Sequence, residues 1–256
     1  MIVLVLVLLL AFPPPAHAHA GGLTPRDQLT EVVSVDPPLP GVGVRMVNHG
    51  TQLEIRNDGT AALPIGGRTV KPGETSRFRD DRTTADRWDI ALGTSVVHGR
   101  TTTFPPPNTV LWLLITVLVA GSAVVLSRGL VLLGVGTVVV AGANVAHAFG
   151  SVFAVTGGEF LPLFFGASGV GLVCWPLAVL CLVAGVRRRP ATAFVAAIVG
   201  AMLVVAGVPD FDSFRFSQLP FAWSATLDRA LVAATLGGGL ALAIGGFARM
   251  RRDTAQ

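Results

Sequence analysis

The chain has 256 residues, 52% of them hydrophobic and 13% charged, with a formal charge of +4. Ordinary soluble domains carry about 25% charged residues, so this composition argues against a fold that faces water on all sides. The basic excess does not describe a polyanion-binding face either: residues 19–108 hold ten basic and ten acidic side chains, and the surplus sits in short clusters beside apolar runs, a topology pattern that excludes nucleic acid as a partner.

Residues 2–12 are a short apolar run followed by Pro13-Pro14-Pro15. Eleven residues are too few to cross about 30 Å of hydrocarbon; the length suits the core of a signal peptide over 1–18. Ala16-His17-Ala18 and Ala18-His19-Ala20 both offer a small-x-small cleavage pattern. Cleavage after Ala18, cleavage after Ala20 and an uncleaved anchor all stay open. No Lys or Arg precedes the run, so a start further upstream stays open too.

Residues 19–104 change character, with charges, prolines and no long apolar run. Short alternating stretches predict about seven strands: Glu31–Val35, Val42–Val47, Gln52–Arg56, Ala62–Ile65, Thr75–Arg79, Trp88–Leu92 and Ser95–Thr103. Asn48-His49-Gly50 and Asn57-Asp58-Gly59 carry turn chemistry. The expectation is a small antiparallel, Ig-like β-sandwich, without cysteine and so without a disulfide. Pro105-Pro106-Pro107 within 105–108 predicts a stiff spacer.

From residue 109 the chain is apolar in long blocks. Five transmembrane helices are predicted at 109–127, 130–149, 161–186, 191–208 and 226–248, with a tail at 249–256. If the sandwich lies outside, Arg128, Arg187-Arg188-Arg189 and Arg249-Met250-Arg251-Arg252 all fall inside, and Glu159 and Asp210 fall outside. The signal peptide and the positive-inside rule thus point the same way. The fold class expected is multi-domain α and β: an extracytoplasmic sandwich followed by a five-helix bundle in the plasma membrane, with the lipid bilayer as one partner and an envelope protein as another. Frequent glycines, notably Gly237-Gly238-Gly239, Gly245-Gly246 and Gly166 to Gly171, read as helix-packing seams. Cys174 and Cys181 lie about 10 Å apart along one helix and read as small packing residues.

Ionisable groups inside a bilayer each need an account. Asn144 and His147 share a face near the outer end of the second span. Asp210 and Asp212 close the fourth, and Asp228 with Arg229 opens the fifth. Together Asn144, His147, Asp210, Asp212 and Asp228 are candidates for one polar pocket at the outer leaflet, able to hold a divalent cation or relay protons. The plainer reading leaves Asp212, Asp228 and Arg229 wet, has Asp228 capping its helix, and bonds His147 to Asn144 or a neighbouring backbone group. The aromatic loop Asp210–Trp223 reads as part of an interfacial belt. A second candidate is His19, whose amine and imidazole at a cleaved terminus chelate copper(II) well, with His98, His49 and Asp89 as partners. Copper is therefore the alternative cofactor, with His19, His98, His147, Asp210 and Asp228 as its candidate ligands. No G-x-S-x-G, P-loop, H-E-x-x-H or C-x-x-C occurs, so no catalytic residue is assigned.

One lysine (Lys71), no tyrosine, and abundant Ala, Gly, Val and Arg read as a GC-rich actinobacterial source. The run Thr75–Pro107, after Glu31–Pro37 and Leu53–Gly59, resembles a group of actinobacterial conserved membrane proteins without a settled activity; Phe216–Phe221 resembles their final outer loop. The resemblance implies an exported sandwich followed by a helical bundle. In that group the stretch matching Arg77–Arg82 usually reads Trp-His-Asp-His-Arg. Here both histidines are absent, and Asp81 with Arg82 is expected as a salt-bridged pair. A fainter similarity, carried by His19-Ala20, is to exported copper-resistance sandwiches. The function expected is a non-enzymatic envelope protein presenting its sandwich to a partner or ligand, the alternative being copper or divalent-metal handling.

Overall fold

The computed structural model describes residues 20–255. The signal-peptide segment and His19 lie outside the described residues. The N-terminal part is built of eight antiparallel strands: β1 (Gln28–Asp36), β2 (Val42–Val47), β3 (Gln52–Asn57), β4 (Leu63–Ile65), β5 (Arg68–Val70), β6 (Thr75–Phe78), β7 (Arg87–Leu92) and β8 (Ser95–Thr103). They form two three-stranded sheets, β1-β8-β7 and β2-β3-β6, and a β4-β5 ribbon. Alternation explains the core: Trp88, Ile90 and Leu92 of β7 point inward, as do Leu53 and Ile55 of β3 and Val97 of β8. Gly99 of β8 is bare because the Trp88 ring lies on it, within 2.0 Å of where a Cβ would stand. β5 has no counterpart among the seven expected strands. Only Val70 of its three residues is buried, too short a pattern for periodicity to register.

Seven helical segments follow: α1 (Thr109–Gly121), α2 (Ala123–Leu126), α3 (Leu130–Phe153), α4 (Phe160–Ser168), α5 (Gly171–Val186), α6 (Ala191–Gly207) and α7 (Ala225–Thr254). Asn108 caps α1 and Ser224 caps α7, each accepting from the amide three residues on. Four helical stretches are long and apolar enough to cross a membrane: Thr109–Leu126, Leu130–Phe153, Ala191–Phe214 and Ala225–Thr254. The third expected span is not one straight helix. α4 and α5 meet at a 76° bend, where Gly169 takes φ +41. Nine residues rise about 14 Å, so α4 does not cross by itself; it lies against the end of α3, with Phe160 and Phe164 packed on Phe149. Counting the bent pair as one gives five spans.

Small residues set the helix spacing. Gly200 of α6 faces the Gly239 carbonyl of α7, Gly246 faces the Ala193 carbonyl, Gly237 faces Thr116, and Gly245 faces Ala123. Gly166 and Gly169, by contrast, have nothing within 4 Å and form no seam. The contacts also show which ends assemble. Gly185 at the end of α5 meets Leu130 at the start of α3, and Gly246 late in α7 meets Ala193 at the start of α6. Arg128, Arg187–Arg189 and Arg249–Arg252 therefore gather at the end of the bundle remote from the β domain.

Candidate functional site

The β domain is seated on the other end of the bundle by local sequence features. The turn Asn48-His49-Gly50 runs through three positive φ values. It turns the Asn48 side chain toward the bundle, where its Oδ1 accepts from the Thr156 amide at 2.8 Å. Arg77 of β6 donates to the Thr156 carbonyl at 3.0 Å. Arg26 and Gln218 exchange backbone hydrogen bonds at 3.0 and 2.8 Å, the Asp27 carboxylate accepts from the Ser217 amide at 2.7 Å, and the Arg26 guanidinium reaches the His49 carbonyl.

Arg77 is held in place by Glu54, whose two oxygens accept from Arg77 and Arg45 at 2.6 Å each. Burial pushes the Glu54 carboxyl up, but the hydrogen bonds from Arg77 and then Arg45 outweigh it and hold the group below the usual carboxylate range. A lowered folded pKa stabilises above the unfolded value of about 4.3, and that stability is lost as pH falls through the folded value. Glu54→Gln is therefore expected to weaken the β domain near neutral pH by about 2 kcal/mol and to flatten its acid sensitivity. Hydrogen exchange of β3 and β6 amides against pH measures both; an unchanged acid profile would remove Glu54 from this role.

β1 and β2 are each paired on one side only, as edges of different sheets. Between them opens a cleft of about 710 Å³, walled by Val32, Val44 and Met46 and floored by Phe153, Thr156 and Phe221 of the bundle. Phe221 also stacks on the His147 ring, centroids 5.9 Å apart at 16°. It reaches that position because Gly150 is bare, with the Phe221 ring 1.9 Å from where a Cβ would stand.

Beneath Phe221 lies the polar cluster. His147 Nε2 is 3.3 Å from Asp210 Oδ1, and His147 Nδ1 is 3.0 Å from Asp228 Oδ1. The three side chains are 7%, 8% and 0% exposed. The ring thus bridges the helical turn after α6 and the first turn of α7. Arg229, also buried, donates Nε to Ser213 O at 2.9 Å and Nη2 to Phe216 O and Ser217 O at 2.8 and 3.2 Å, closing the loop over the cluster.

Of the five pocket residues the sequence singled out, three meet here. Asn144 sits one turn deeper on α3, and its Oδ1 accepts from Trp175 Nε1 of α5 at 3.0 Å. Asp212 is 44% exposed and faces Arg215. Asp228 does not cap α7, because Ser224 does, and neither Asp228 nor Arg229 is wet. The aromatic loop is also more buried than a belt: Phe214 packs on Trp112 and Phe221 on His147, while Phe211 and Trp223 remain exposed. Arg82 pairs with Asp80 at 2.6 Å rather than with Asp81, since Asp80 caps the short turn at 81–84 and accepts the Arg82 amide as well.

The metal candidates do not converge. His98 lies on the exposed face of β8 with Asp89 as its partner at 2.6 Å. Asp210 and Asp228 meet opposite nitrogens of the His147 ring, so their oxygens do not point at one shared position. Among the described residues no group of three His, Cys, Asp or Glu is arranged to hold a metal ion. Ser151, which carries no signal in the sequence, lies one turn from His147 on the same α3 face, and the packing alone reveals it. Comparison with known protein families, curated proteins and solved structures finds no match to this chain.

Proposed function

We propose that the chain is a multi-pass plasma-membrane protein, without enzymatic activity, that presents its β domain outside the cell to a partner or ligand. The observation that carries this reading is the cleft. It is walled by two strand edges and floored by Phe153, Thr156 and Phe221 of the bundle, so an occupant touches both domains at once. Edge strands with unpaired backbone are recognised by extended segments, and the clamps at Thr156 and Gln218 pass any displacement of the β domain to α3 and to the loop before α7. The Arg clusters at the far end support an orientation with that end in the cytoplasm.

Single-cysteine probes test both parts. Cys174 and Cys181 are buried, which keeps the background low. In intact cells a membrane-impermeant maleimide is expected to label Thr60→Cys, but Thr254→Cys only after permeabilisation; the opposite pattern overturns the orientation. Val44→Cys, in the cleft, is expected to react quickly in purified protein and slowly in cells. Equal rates in both would mean that nothing occupies the cleft.

A further inference from the structure

We propose that Asp210, His147 and Asp228 form a binding site for a single exchangeable proton, reached from the face on which the β domain sits. The proposal goes beyond the ligand-presenting role and does not depend on it.

The charges require such a proton. Among the described residues, the charged groups facing the His147 ring are Asp210 from the turn after α6 and Asp228 from α7, with Arg229 next to Asp228. α5 offers Trp175 and Asn144's amide contact, which carry no charge, and Asp212 turns away to Arg215. With both carboxylates ionised, the ring neutral and Arg229 charged, the group holds one net negative charge in a site closed to water. One proton, on the ring or on a carboxyl, brings it to zero. Net charge in such a place is costly, so the proton has a strong reason to bind.

The hydrogen bonding agrees. Asp228 is fully buried, and its Oδ2 has no hydrogen-bond donor among the described residues. The buried hydroxyls of Ser151, Ser213 and Ser217 likewise have no partner among the described residues. Ser151 follows His147 by four residues on α3, and Ser213 and Ser217 belong to the loop over the cluster. They mark a polar route toward the β domain. Deeper in the bundle Val140, Val199, Leu203 and Leu242 are buried together, with Asn144 held by Trp175 and Thr235 as the nearest polar side chains. The loop that carries Ser213 and Ser217 joins the β domain at Asp27 and Arg26, which puts the proton's approach on that side.

Size restricts the ligand to a proton. Phe221 covers the ring on the cleft side, and the two carboxylates occupy its nitrogen edges. No space remains on the ring for a molecular ligand.

The test uses the full-length protein in lipid nanodiscs and infrared difference spectra across pH steps from about 5.5 to 9, a range in which exposed carboxyls stay ionised. The expected result is a protonated-carboxyl band, or in protein carrying isotope-labelled histidine a ring band that His147→Gln removes, that titrates as a single proton and shifts in heavy water. Asp228→Asn and Asp210→Asn should abolish it or move its midpoint by at least tenfold in proton affinity. Asp210→Glu, which keeps the charge, should retain the titration with a shifted band. If the asparagine variants do not fold, the wild-type spectrum and Asp210→Glu still decide. A wild-type spectrum with no carboxyl or ring band titrating in this range, or a titration unaffected by substitution at Asp210 or Asp228, overturns the proposal and leaves a fixed ion network.

Discussion

Gly200→Val is expected to separate α6 from α7 and to destabilise the bundle. A Cβ at 200 would stand 2.5 Å from the Gly239 carbonyl oxygen, 2.6 Å from the Ala243 amide nitrogen and 2.7 Å from Leu242 Cβ. Two of these three obstacles are backbone, so no side-chain rotation relieves them. On the reciprocal side a Cβ at 239 would stand 2.8 Å from the Gly200 carbonyl oxygen. In lipid, helix association rests on this kind of close packing, because the tails solvate apolar side chains as well as another helix does. Overpacking costs about 1–3 kcal/mol where side chains can give; against backbone the upper end, about 3 kcal/mol, is expected. For a chain of this size that lowers the unfolding temperature by roughly 10 °C. Thermal unfolding in nanodiscs measures it, and a midpoint equal to wild type would show that the helices pass each other with room to spare.

Arg229→Met is expected to release the loop over the polar cluster. The guanidinium supplies hydrogen bonds to Ser213, Phe216 and Ser217 carbonyls, and a thioether supplies none. Buried carbonyls left without donors cost about 1–3 kcal/mol each, and Asp228 loses the positive charge beside it. Together the loss should approach 3–5 kcal/mol, the range seen when one member of a buried ionic group is removed. The effect should travel: Ser217 and Gln218 hold Asp27 and Arg26 of the β domain, so amide exchange at Gln218 is expected to rise with that at Ser217. Arg229→Lys keeps the charge but brings one nitrogen to three acceptors, and should fall between the two. Arg229→Met with wild-type exchange at 213–218 would show that water can stand in for the guanidinium.

Much of the architecture was legible because it follows from local periodicity. Trp88, Ile90 and Leu92 alternate, and β7 puts all three in the core. The apolar blocks after residue 109 are helical. Other features were hidden for definite reasons. Apolarity averaged over 161–186 does not register a 76° bend, since α4 and α5 are both hydrophobic and the break is one residue at φ +41. Asp80 and Asp81 are alike in composition; the cap geometry decides that Arg82 takes Asp80. Phe214 and Phe221 read as interfacial aromatics, yet neighbouring rings at Trp112 and His147 give them buried seats.

The candidate site shows the same division. The order of residues alone places His147, Asp210 and Asp228 at the ends of different apolar blocks, and the alternating direction of those blocks brings the ends to one side. It also determined the strand pattern, the helical blocks and the clustering of arginines at the opposite loops. Long-range packing brings Asp210 and Asp228 to the two nitrogens of one ring, turns Asn144 to Trp175, leaves Asp212 outside, and stands Phe221 between the ring and the cleft. The reason is physical. Whether a charge is wet or buried depends on which bare glycines let neighbouring elements close over it, as Gly150 does for Phe221, and those neighbours come from parts of the chain far apart in sequence.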